Sequence, residues 1–77
     1  MSKLKIVDYK TMHALLTKLG FEIARQKGSH IRYQHPDGRA CTVPRHGNRD
    51  LSRSLLRAIL RDIDLTTEQY HEELENL

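Results

Sequence analysis

A chain of 77 residues has room for one small core, hiding roughly 60% of the surface that its unfolded form exposes, and its lone Cys41 excludes an internal disulfide. No apolar run approaches the ~20 residues of a membrane span, and Met1 to Lys5 carries two lysines with no apolar stretch behind them, so no secretory signal and a cytoplasmic location are expected. The net charge of +3 conceals a division: all 13 Lys and Arg fall within residues 1–61 beside four acids, a balance of +9, whereas residues 62–77 hold six acids and no base. A basic body suits a polyanion such as nucleic acid, and the acidic end reads either as a solvated helix face or as a shield for the basic surface.

Asp8 is placed to cap a first helix over residues 9–19. Met12, Leu15, Leu16 and Leu19 recur at helical spacing and give it one apolar face. Gly20 ends it, because a left-handed backbone is cheap for glycine. Residues 21–27 alternate as a strand, with Phe21 and Ile23 assigned to one face. Gly28-Ser29 is a tight turn, and residues 30–35 alternate again, Ile31 and Tyr33 inward, His30, Arg32 and Gln34 outward. Pro36-Asp37-Gly38 is a hairpin turn, proline presetting one dihedral and glycine supplying another. A third strand follows over 39–43, with Cys41 and Val43 as its core pair, and Pro44 stops it. After a polar loop at 45–49, a second helix is expected from about Asp50 to Ile63, burying Leu51, Leu55, Ala58, Ile59 and Ile63. Thr66 with Gln69 forms a capping box that opens a short last helix. The order α-β-β-β-α plus a terminal helix predicts one α+β unit over residues 1–77. It would have two layers, a three-stranded antiparallel sheet with helices on one face.

The chemistry concentrates at Gly28-Ser29-His30. Arg25, Lys27 and Arg32 flank it in sequence, with Lys18 as a fourth cation in space. Imidazole exchanges a proton near neutral pH, and a proton-transfer group among cations suits a phosphodiester backbone. From the residues alone two roles fit His30, a general base or a histidine that caps the turn and grips RNA. Gly28 supplies backbone geometry and Ser29 turn hydrogen bonds, and the N–H groups of both could hold a phosphate. Lys27 is positioned to balance charge developing at phosphorus, or is an ordinary solvated lysine. Arg32 adds a phosphate contact beside the histidine. Arg49, Arg53, Arg57 and Arg61 repeat every four residues and so share a face, which reads as a phosphate-contact surface or as a solvated helix side. With four aromatic residues in all, base stacking cannot be the main grip; recognition by shape and backbone fits better.

His46 is a candidate acid for a leaving 5′-oxygen, or a residue that orders its own loop. His13 lies on the polar side of the first helix, His35 at the far end of its strand from His30, and His71 in the acidic end. None of these three has a sequence partner that argues for chemistry. Cys41 and the scattered histidines lack zinc-ligand spacing. Ser29 and His30, as strand neighbours, point to opposite faces, which is unsuited to a serine hydrolase. There is no glycine-rich nucleotide loop. No metal and no cofactor are expected.

The segments Leu15-Leu16…Leu19-Gly20-Phe21, Arg25-Gln26-Lys27-Gly28-Ser29-His30, Val43-Pro44-Arg45-His46-Gly47-Asn48 and Leu55-Leu56-Arg57-Ala58-Ile59-Leu60-Arg61 together resemble HicA, the toxin of a bacterial type II toxin–antitoxin pair, over residues 11–74. The resemblance implies a fold like that of a double-stranded-RNA-binding domain and a ribosome-independent mRNA interferase with mRNA as substrate. It further implies His30 as the catalytic residue and a HicB-type antitoxin as the neutralising partner. In that mechanism His30 removes a proton from a 2′-hydroxyl, and the oxygen attacks the adjacent phosphorus without help from a metal. Two positions depart from the pattern, Ser54 and Asp64, where HicA proteins commonly carry glycine. The alternatives are a non-catalytic double-stranded-RNA-binding module and an adaptor that works through the acidic end.

Overall fold

A computed structural model describes residues 3–77; Met1 and Ser2, which the reading of 1–77 as one unit includes, lie outside the described residues. The elements are α1 (Tyr9–Lys18), β1 (Glu22–Lys27), β2 (His30–Gln34), β3 (Ala40–Pro44), α2 (Arg53–Asp62) and α3 (Thr67–Glu75). The strands form an antiparallel sheet in the order β1-β2-β3. This is the expected α+β layout of helix, three strands and two helices.

Local chemistry accounts for the boundaries. The Asp8 carboxylate accepts the Thr11 N–H at 2.9 Å and starts α1; hydrogen bonds from Thr11 hold that carboxyl below its ordinary range. Gly20 ends α1 at φ +97°, and a Cβ there would lie 3.0 Å from the His35 Nε2, a ring nitrogen hydrogen-bonded to the Leu19 carbonyl at 3.1 Å. Thr66 and Gln69 form the expected capping box of α3. The second helix starts later than its sequence suggests. Asp50 pairs with Asp8 in an isolated bridge, Leu51 N–H donates to the Val7 carbonyl at 2.9 Å, and Ser52 caps the helix by accepting the Leu55 N–H. Residues 50–51 are therefore extended and pinned to the N-terminal segment, and Arg49 lies outside α2.

The sheet buries one face. Along β2, Ile31 and Tyr33 are buried while His30, Arg32 and Gln34 are exposed; along β3, Cys41 and Val43 are buried. The helices supply the other side of the core through Met12, Leu15 and Leu16 of α1, Leu56, Ile59 and Leu60 of α2, and Tyr70 of α3. In α2 the buried stripe is Leu56, Ile59, Leu60 and Ile63, spaced i, i+3, i+4, i+7. Leu55 and Ala58, assigned to the core from sequence, fall on its flanks and are half-buried.

Ile23 is a second correction. Instead of facing the core with Phe21 it is 48% exposed: every residue of β1 is exposed because the helical layer covers β3 at the other edge and does not reach across β1. Beside it, the Arg39 guanidinium covers the Phe21 ring at 5.1 Å and donates to the Ile63 carbonyl at the end of α2. The β2–β3 turn is thereby tied to the helical layer.

The acidic end folds onto the body away from the open sheet face. The Tyr70 hydroxyl donates to the Lys5 carbonyl at 2.7 Å, with burial pushing its phenol up to about 12. The His71 Nε2 accepts the Lys5 N–H at 3.1 Å. Lys18 pairs with Glu73 at 2.9 Å and donates to the Asn76 carbonyl at 3.2 Å. The cation expected to reach His30 from α1 is engaged by α3 instead. Among the described residues no helix is long and apolar enough to cross a membrane.

Candidate functional site

Strict alternation along β1 would put Ile23, Arg25 and Lys27 on one face. A register shift between Ile23 and Arg25 prevents this. Ile23 stands opposite Tyr33, Arg25 opposite Arg32, Gln26 opposite Ile31 and Lys27 opposite His30, so Ala24 is the extra residue of a bulge. Directly paired residues share a face. Arg25 and Lys27 therefore join His30 and Arg32 on the open side of the sheet, while Ile23 turns to the helix side.

The Lys27–His30 pair is closed by the two-residue turn Gly28-Ser29. Gly28 has φ +58°, the left-handed value that tight hairpins take at their first turn position. The Ser29 carbonyl accepts the Arg45 N–H at 2.6 Å, fastening the loop after β3 to this turn. On its other side His30 stands opposite Pro44. Its ring is exposed and, with Arg25, Lys27, Arg32 and Thr42, lines a depression of about 420 Å³ on the open face. Arg32 Nη1 donates to Thr42 Oγ1 at 3.2 Å. No carboxylate lines this depression, so an imidazole stands among three cations, an arrangement that attracts phosphate and can exchange a proton with a group bound there.

The arginine stripe is not part of this cluster. Arg49 is in the loop, where its N–H donates to the His46 carbonyl at 3.1 Å. Arg53 reaches the Leu4 carbonyl at 3.4 Å, and Arg57 is exposed. The residues of α2 that bury themselves point toward the sheet, so Arg53 and Arg57 occupy the outer side of the helical layer, away from His30. Sequence reasoning missed Thr42. Its place between Cys41 and Val43, the two buried residues of β3, was the available signal that it faces outward opposite Arg32.

The remaining titratable groups sort by position. The loop that carries His46 does return to the Ser29 turn, but the exposed His46 is not among the residues lining the depression. His13, read as a polar surface residue, is half-buried with its Nδ1 2.7 Å from the Tyr33 hydroxyl, which lies 2.7 Å from the Tyr9 hydroxyl. Burial, with the Tyr9 hydroxyl second, raises the Tyr33 phenol far above its ordinary value. Burial likewise pushes the Cys41 thiol up to about 11, which leaves it inert as a nucleophile near neutral pH. Among the described residues no group of three or more His, Cys, Asp or Glu is clustered as metal ligands would be.

Compared with known proteins, residues 9–65 match the family model of the HicA toxin of bacterial toxin–antitoxin systems. The match runs from the start of α1 to just beyond α2 and takes in the whole His30 depression; α3 lies outside it. No curated protein matches the chain. The chain belongs to the HicA toxin family, toxins of bacterial toxin–antitoxin systems, and that membership implies a cognate antitoxin partner.

Proposed function

We propose that this HicA-family toxin is a ribosome-independent mRNA endonuclease in which His30 is the proton-transfer group. The observation that carries the reading is the exposed imidazole on the open sheet face among Arg25, Lys27 and Arg32. RNA lies across that face with a phosphate over the three cations. The neutral His30 ring removes the proton of the adjacent 2′-hydroxyl. The 2′-oxygen forms a bond to phosphorus, and the bond from phosphorus to the 5′-oxygen breaks. This leaves a 2′,3′-cyclic phosphate on one fragment and, after a proton from solvent, a 5′-hydroxyl on the other. Lys27, Arg25 and Arg32 stabilise the extra negative charge at phosphorus as it develops. The N–H groups of Gly28 and Ser29 hold a neighbouring phosphate. Arg53 and Arg57, on the outer side of the helical layer, and Arg49 in the loop take no part in this step. A HicB-type antitoxin neutralises the toxin by covering the depression.

The deciding experiment compares wild type and His30→Ala on a purified transcript in the absence of ribosomes, following cleavage and RNA affinity separately. Among the described residues the exposed His30 ring makes no hydrogen bond that its loss would leave unsatisfied, so the variant folds. Cleavage is expected to fall by about 10²–10⁴ with affinity changed only a few-fold. Cleavage that survives the substitution overturns the mechanism. Undetectable cleavage by the wild type, with affinity alone lost in the variant, points to a non-catalytic RNA-binding module.

A further inference from the structure

On the helix side of the sheet a second cleft, of about 550 Å³, opens between α1, the β1 edge and the loop after β3. Its walls include Tyr9, Lys10 and His13 from α1, Ile23 from β1, and Arg45 and Asn48 from the loop. We infer that this cleft binds one nucleotide of the RNA, a few positions from the scissile bond, base and phosphate together. The inference rests on the reading of the chain as an RNA-cleaving toxin and adds where a longer substrate is held.

Three features fit a nucleotide better than a bare anion. First, Ile23 is one of only two large hydrophobic side chains left exposed among the described residues, and the bulge at Ala24 is what aims it into this cleft. It gives a base an apolar platform. Second, the His13 ring stacks on Tyr9, with centroids 5.9 Å apart and planes 26° from parallel. His13 Nδ1 is tied to the Tyr33 hydroxyl, so the ring is held still with its Nε2 left for the cleft. A fixed imidazole edge and the Asn48 amide can both hydrogen-bond to a base edge. Third, the charge on the walls is positive. The Arg45 guanidinium lies over the Tyr9 ring at 5.6 Å, Lys10 is exposed beside it, and no carboxylate lines the cleft.

The two clefts are joined through the backbone. Arg45 N–H bonds to the Ser29 carbonyl, and Pro44, just before Arg45, stands opposite His30. One short stretch of chain thus forms a rim with the catalytic depression on one side and the second cleft on the other. A single strand of RNA leaving His30 over Pro44 and Arg45 enters the second cleft without crossing acidic surface.

The test uses 2′-O-methyl RNA, which lacks the attacking hydroxyl and stays intact on the full-length wild-type protein. Two probes are compared, a 12-nucleotide strand and a dinucleotide too short to reach both clefts. Lys10 and Ile23 are exposed, so the double variant Lys10→Ala/Ile23→Ser folds, and its circular dichroism melting curve documents this. Its affinity for the 12-mer is expected to fall about tenfold, in line with the loss of one base contact, with dinucleotide affinity unchanged. In the wild type the Ile23 δ-methyl resonance shifts on adding the 12-mer. Unchanged 12-mer affinity together with an unmoved Ile23 methyl overturns the subsite. So does a double variant that binds RNA normally but loses the antitoxin, which would assign the cleft to the protein partner. Cleavage of ordinary RNA by the same double variant on the dinucleotide-length site separates the two claims. If His30-dependent cleavage persists while the 12-mer result is negative, only the subsite fails; if the wild type does not cleave at all, the enzymatic reading fails.

Discussion

Lys27 stands directly opposite His30 at the closed end of the β1–β2 pair, so an ammonium and an imidazole leave the same sheet face about 5 Å apart at their Cβ atoms. In the mechanism proposed above, that spacing places the ring at the 2′-hydroxyl and the ammonium at a non-bridging oxygen of the same phosphate.

Lys27→Ala should therefore lower the single-turnover cleavage rate at saturating enzyme by about 10²-fold, the usual effect of losing one donor aimed at developing charge. RNA affinity should weaken only a few-fold, and Lys27→Arg should restore part of the rate. A rate unchanged at saturation with only affinity reduced would make Lys27 a grip on the backbone and nothing more.

The bulge gives an unusual expectation for β1. Deleting Ala24 removes the residue that has no partner and leaves Ile23 opposite Tyr33 and Arg25 opposite Arg32, as they stand now. The deletion should keep RNA cleavage within a few-fold of wild type and preserve the amide spectrum outside β1. Deleting Gln26 instead turns Arg25 to the helix side by the period-two rule and should lower both cleavage and RNA affinity. Equal damage from the two deletions would show that the register of β1 does not set the cation cluster.

Asp64 adopts φ +57°, the only non-glycine residue with a positive φ among those described. It sits just after α2. An aspartate in this left-handed conformation is strained, while glycine is not. Asp64→Gly is expected to stabilise the fold by about 1 kcal/mol, raising the melting temperature by roughly 4–8 °C for a chain of this size. Thermal denaturation followed by circular dichroism checks it, and a lowered midpoint would mean that Asp64 makes a compensating interaction.

The parts of this protein legible in its sequence are those decided within a few residues. Asp8 and Thr66 cap their helices because a side-chain oxygen meets an N–H three residues ahead. Ile31, Tyr33, Cys41 and Val43 turn inward because strand side chains alternate, and the same alternation leaves His30 and Arg32 outward. The tertiary structure decided what depends on which element lies beside which. Ile23 carries a core residue's chemistry yet is exposed, because the helical layer covers β3, the other edge of the sheet, and not β1. The start of α2 moved from Asp50 to Arg53 when Leu51 was pinned to Val7, and Arg53 and Arg57 came to lie behind the sheet from His30. Lys18 was claimed by Glu73, 55 positions away in the chain, and His13 by Tyr33, 20 positions away. Periodicity and capping act over one or two turns of chain, so sequence fixes them locally. Edge position, bulge register and long-range hydrogen bonds are settled only when distant segments compete for the same buried surface.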